Sequence, residues 1–229
     1  MSHKSFRLRV NRKNQGQSLI ELSLILLLLL VMLTGAVEFG TLLNQYTTVV
    51  DAARAGARFA SNDEPFVRVV TASCPVPFCV SMNFFHNVDV IIEGAELGRN
   101  PAPPAVDRDK GALSPIRLHP AEGDDVVVSV FSIHDGTVVR FPAGEGGWSY
   151  YRSLGLGYPG QYSEFSSAEL QSRLDSLAPD TGMVLVEIFY HYHQVLGFWR
   201  ILGIPDPILV HTYAIMPVSA AEPTPIPLP

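Results

Sequence analysis

The sequence predicts an α+β fold: a long N-terminal helix, transmembrane in its first part and amphipathic beyond, followed by a small extracytoplasmic domain with an antiparallel sheet. Three observations carry that expectation. An apolar run from Leu22 to Leu33, interrupted only by Ser23, sits behind a basic tract. Beyond it, apolar residues recur at helical spacing as far as Ala60. After Asn62 the texture changes to short apolar runs separated by Pro and Gly, the pattern of strands and turns. The 229 residues divide accordingly into a basic leader (1–16), the helix (17–61), the α+β domain (62–218) and a Pro-rich tail (219–229).

The first part of the helix has the length of a membrane crossing. Gln17 to Val37 is 21 residues, and about 20 suffice to cross the hydrocarbon core. Lys4, Arg7, Arg9, Arg12 and Lys13 precede it without a single acid. That bias keeps the N-terminus cytoplasmic and exports the chain beyond the span, so a single-pass protein of the cell (inner) membrane is expected. A secretory signal has the same charge order, but its apolar part is only about 7–15 residues and ends in a small-x-small site. No Ala-x-Ala pattern closes this run. Charged residues make up 17% of the chain and the AVILMFWYC set 47%, which excludes a disordered or nucleic-acid-binding composition. Of 16 basic residues five lie in the leader, so the remainder is strongly acidic and no nucleic-acid partner is expected.

Past the span, Leu42, Leu43, Tyr46, Val49, Val50, Ala53, Ala57 and Ala60 continue at three- and four-residue spacing. Asn44, Thr48, Asp51, Arg54 and Arg58 lie opposite. Ala52, Gly56 and Ala60 form a strip of small side chains at i, i+4, i+8 that lets another backbone approach closely. Either a neighbouring helix or the chain's own globular domain fits that strip.

In the domain, DDVVVSVFSIHDGTVVRF reads as a hairpin with arms 126–133 and 137–141 around Asp135-Gly136. Ser166 followed by Glu169 is a capping box opening a helix with Leu170, Leu174 and Leu177 on one face, ended by Pro179 and Gly182. Two strand-like runs, 183–193 and 207–216, are joined by the apolar loop QVLGFWRILGIPDP. The stretch RNPAPPAVDRDKGALSPIRLHP reads as a surface excursion. Cys74 and Cys79, separated by four residues in SCPVPFC, are expected to close a small disulfide loop outside the cytoplasm. Two reduced thiols are the alternative, and a zinc site lacks a second cysteine pair.

Glu21 lies inside the front of the apolar run, where a charge costs about 2.5–3.5 kcal/mol near the bilayer centre and less near an interface. It therefore needs a partner. A cut after Gly16 would make Gln17 the first residue, with a free amine about one helical turn from the Glu21 carboxylate, in the same helix or in a neighbouring subunit. Glycine before the cut suits a protease that must approach an extended backbone closely.

The Gly16-Gln17-Ser18-Leu19-Ile20-Glu21 junction, between a basic leader and an apolar helix, resembles the cleavage region of type IV prepilins and pseudopilins. The longer string GQSLIELSLILLLLLVMLTGAVEFG, followed by DAARAGARFAS, is similar to the TadE-like minor pseudopilins of tight adherence (Tad) pilus systems. A weaker similarity lies in the strand, Leu-Gly loop and final strand closing on Met216-Pro217. The resemblance implies cleavage between Gly16 and Gln17 by a prepilin peptidase and subunit docking through Glu21. Its implied partners are the membrane, that peptidase, other Tad pilins or pseudopilins and the assembly platform. Gln17 stands where many type IV prepilins have Phe.

Chemistry of other kinds has little support. His191, His193 and His211 fall on the two C-terminal strands, with Glu187 on the face of the first two, a conceivable metal set. Imidazoles are also ordinary strand-face residues, and Glu187 reads as a hydrogen-bonded structural carboxylate. The glycines of SLGLGYPGQYS lack the Lys-Ser/Thr of a phosphate loop, and no Gly-x-Ser-x-Gly nucleophile motif occurs. No cofactor, metal or catalytic residue is expected: the reading is a structural subunit. The alternative is a single-pass anchored surface protein whose outer domain binds a ligand and never enters a filament.

Overall fold

A computed structural model describes residues 13–67, 79–93, 116–134, 136–144, 146–155, 157–173, 175, 180–197, 199–200 and 203–218. The long helix α1, Lys13–Asn62, belongs to two compact units, its first part up to Leu43 with the loop Gln194–Asp206 and its remainder with the rest of the chain.

In the first unit α1 is apolar on every side: Leu24, Leu27 and Met32 are each about two-thirds exposed. An all-round apolar helix with none of its most apolar segment buried is long and apolar enough to cross a membrane. Ser23 and Thr34 return their hydroxyls to the carbonyls of Ile20 and Leu30, so neither presents an unsatisfied donor. The loop folds on itself through Gly203 N–H to Arg200 O (3.1 Å) and Ile204 N–H to Trp199 O (3.1 Å). Its base is closed by Gln194, whose N–H meets Asp206 (3.2 Å) and whose amide meets the Pro205 carbonyl (3.0 Å).

The second unit is α+β, as expected. Its sheet has five antiparallel strands: β3 (Asp125–His134), β4 (Thr137–Phe141), β5 (Trp148–Ser149), β6 (Thr181–Tyr192) and β7 (Ile208–Val218), ordered β4-β3-β6-β7 with β5 also on β3. The β3–β4 hairpin turns where the Asp135-Gly136 pair predicts, with His134 opposite Thr137 and Gly136 at φ +69°. Strand periodicity sorts the core into two faces. Val126, Val128, Val130, Val184, Val186 and Ile188 point to one cluster, with Ala52, Ala57 and Ala60 of α1 and Phe85, Val88 and Ile92 of helix α2 (Met82–Glu93). Phe131 and Leu185 point the other way, to Leu170 of helix α4 (Ser167–Arg173). A two-stranded ribbon, β1 (Phe66–Val67) with β2 (Cys79–Val80), a single 3-10 turn (Pro120–Glu122) and the short helix α3 (Tyr150–Ser153) complete the described elements.

Three details differ from the sequence reading. Residues 82–93, expected among strands and loops, form α2. Phe84, Phe85, Val88, Ile91 and Ile92 are buried at helical spacing, which outweighs the β-branched composition of the run. The excursion ending at Pro120 is not wholly surface, because Ile116 and Leu118 enter the core. The helix capped by Ser166, whose hydroxyl accepts the Glu169 N–H at 3.1 Å, is described only to Arg173; Leu174 and Leu177 lie outside the described residues, and Gly182 belongs to β6. The Cys74–Cys79 loop also falls outside the described residues, apart from the Cys79 backbone in β2.

Candidate functional site: the carboxylates of the long helix

Between Gly16 and Val50 only two residues of α1 carry a formal charge, Glu21 and Glu38. They have opposite surroundings. Glu21 is exposed near the front of the helix, and its Oε1 accepts a hydrogen bond from the Gln17 side-chain amide at 3.1 Å, one turn back. Gly16 and Gln17 are themselves helical and exposed, with nothing within 4 Å of a Cβ placed on Gly16. The peptide bond expected to be cut is therefore reachable from outside but wound into the helix, where glycine is the least costly ordinary residue to unwind: alanine would hold the turn by about 1 kcal/mol more.

Glu38 is 1% exposed. Its Oε1 accepts the Val195 N–H at 2.8 Å and its Oε2 the Leu196 N–H at 2.9 Å, so both oxygens grip the backbone of the Gln194–Asp206 loop. Charge-assisted bonds of this kind are roughly twice as strong as neutral ones. Three residues earlier, a Cβ on Gly35 would lie 3.6 Å from the Trp199 ring, so a small residue there makes room for the indole. Sequence reasoning takes Glu38 only as the end of the apolar run. A second acid in that run is a visible signal, but its partners are 157 and 158 residues away.

The strip Ala52, Gly56, Ala60 is filled from within the chain. Both alanines are fully buried, and a Cβ on Gly56 would sit 2.8 Å from Ile92 and 3.5 Å from Val88. Within the chain, the strip packs against Val88 and Ile92 of α2.

The histidines do not converge. His191 meets Asp124 through its backbone N–H (2.7 Å) and Nδ1 (2.9 Å), and Asp124 also accepts the His119 N–H at 2.8 Å. His193 Nε2 lies 2.6 Å from Glu122, a hydrogen bond that holds the Glu122 carboxyl below its ordinary value. His211 Nε2 is 3.2 Å from Glu187, which also accepts the Glu164 N–H at 2.9 Å, and its ring stacks on Phe189. Each imidazole thus serves a different carboxylate. Asp125, fully buried in the sheet, ties β3 to β5 and the segment after it by accepting from Ser149 Oγ and the N–H groups of Tyr151 (3.2 Å) and Gln161 (2.6 Å). Burial pushes its carboxyl upward against the pull of those bonds.

Comparison with known proteins bears on the same helix. Residues 16–58 match the family model of TadE-like proteins, from the glycine of the expected cut through Ala52 and Gly56 of the small-residue strip. No curated protein and no solved structure matches the chain.

Proposed function

We propose that this TadE-like chain is a membrane-anchored minor pseudopilin: a structural assembly subunit of a Tad-type pilus or secretion apparatus, with no catalytic activity of its own. The carrying observation is the Gly16-Gln17…Glu21 junction, at the head of an uncovered apolar helix and inside the matched residues. A plain anchor needs no acid there. In an assembly subunit the cut after Gly16 creates an amine at Gln17, and the exposed Glu21 carboxylate is available to the amine of a neighbour. The leader stays cytoplasmic, the span lies in the inner membrane and the α+β unit is exported. Prepilin peptidase, other pilins or pseudopilins and the assembly platform are its partners.

Coexpression with a prepilin peptidase and N-terminal sequencing of the membrane-extracted chain tests the reading. A mature chain beginning at Gln17 is expected, and Gly16→Ala slows the cut by keeping the turn wound. An uncut chain, or a cut near Gly35, rejects it. Assembly is tested separately with Glu21→Gln, which inserts at least as well as wild type because a charge leaves an apolar helix. Crosslinking to pilin partners, normalised to inserted protein, should fall by orders of magnitude, since an unmatched charge in low dielectric costs several kcal/mol. Wild-type crosslinking would leave the carboxylate without an assembly role.

A further inference from the structure

We propose that the β6–β7 loop, Gln194–Asp206, is a second membrane attachment, an apolar lobe seated in the headgroup–acyl boundary at the C-terminal end of the span and held there by Glu38. The inference rests on reading the first part of α1 as the span. Counted from Gln17 at 1.5 Å per residue, about 30 Å of hydrocarbon is used up at Val37. Glu38 is then the first residue at the boundary.

A bare carboxylate at that level would seek water. Instead it is closed off by two backbone N–H groups of the loop. The same bonds satisfy two of the loop's backbone donors, and irregular backbone tolerates an apolar setting only where its polar groups find partners. The Trp199 and Arg200 carbonyls are taken by Ile204 and Gly203. Trp199 packs beside Gly35, three residues back along the span, so it reaches about 5 Å below Glu38. Interfacial segments commonly bury their apolar faces about 5–10 Å deep.

Among the described residues of the loop, Val195, Leu196 and Ile204 are exposed apolar side chains. Val195 is 64% and Leu196 51% exposed, although their own N–H groups hold the buried Glu38. Val37 and Phe39, on either side of Glu38 in the helix, are exposed as well. The loop therefore extends a surface that the span already presents to lipid, and lipid is the occupant that covers both. Trp199 is of the type that collects at membrane interfaces, and Arg200, exposed, carries its charge on a stem long enough to reach the headgroups.

The test uses the full-length protein, reconstituted at high lipid excess into phosphatidylcholine vesicles brominated either near the headgroup end of the chains or near their termini. Trp148 is buried in the α+β unit, so quenchable emission reports Trp199, and Trp199→Phe supplies the control. We expect blue-shifted Trp199 emission that shallow bromines quench more than deep ones. Glu38→Leu, and separately Val195→Asp with Leu196→Asp, should weaken the quenching while the protein stays with the vesicles through an alkaline wash. Washed-in protein whose Trp199 emission is the same in brominated and plain lipid overturns the lobe. So does a crosslink from Leu196 to a second copy without quenching, which would assign the surface to subunit contact. Protein stripped by the wash overturns the span reading and the lobe with it.

Discussion

One helix carries two kinds of surface. From Leu19 to Leu33, α1 shows long aliphatic side chains to its surroundings on every side; from Ala52 to Ala60, alanines and a glycine are covered by α2 and the sheet. Burial in a protein core selects for size, because a facing helix must come close. A Cβ on Gly56 would sit 2.8 Å from the Ile92 side chain, inside van der Waals contact, so any larger residue would have to displace it. Exposure to lipid selects for transfer energy alone, and leucine after leucine serves equally well. The contrast shows that a helix's partner can be read from the size of its apolar residues as well as from their spacing.

The sharpest way to break this comparison is to charge both halves. Leu26→Arg with Leu29→Arg should oppose insertion by roughly 5–7 kcal/mol, at about 2.5–3.5 kcal/mol per residue near a helix centre. Membrane fractionation should find the double variant outside the bilayer, whereas Thr47→Arg, exposed in the rear half, should fractionate like wild type. Next in size is the reverse experiment. Gly56→Leu should destabilise the α+β unit by about 1–3 kcal/mol through overpacking against Ile92 and Val88, seen as a lowered denaturation midpoint of the full chain in detergent. Leu27→Ala, two-thirds exposed, should leave that midpoint unchanged.

The smallest effect concerns acid. His86 of α2 is buried against Trp148 and Tyr150, and burial lowers its pKa from 6.5 by penalising the imidazolium. The unfolded chain then takes up a proton before the folded one. Its contribution is complete above about pH 6.5 and is lost as pH falls towards the lowered folded value. A modest drop in melting temperature of the α+β unit is expected on acidification from neutrality, flattened in His86→Phe, with vesicle retention of the span unchanged. Equal pH slopes for the two chains would remove His86 from the account.

How much of the molecule is legible from residues alone depends on the range of the forces involved. The span, the Asp135-Gly136 turn, the Ser166 cap and the last two strands are written in neighbouring residues, and each is visible in its spacing. Residues 82–93 escape that kind of reading because β-branching masks a helical period present in the same twelve letters. The grip of Glu38 on Val195 and Leu196 is out of reach for another reason. Both apolar segments are visible, but nothing local joins an acid to backbone amides more than 150 residues later. The same holds for the histidines, whose carboxylate partners Asp124, Glu122 and Glu187 come from the turn before β3 and from β6, far from them or fixed by pairing that no local pattern shows.

That separation along the chain also has a meaning in time. At about 5–20 residues per second of synthesis, the 157 residues from Glu38 to Val195 take roughly eight to thirty seconds to appear. On the proposed membrane reading, the span enters the bilayer long before its carboxylate can be closed off, and during that interval Glu38 would be served by water or by headgroups. Its clasp is therefore a late event in biogenesis, made only when nearly the whole chain has emerged, and a chain truncated before Gln194 would keep its anchor while leaving that acid open.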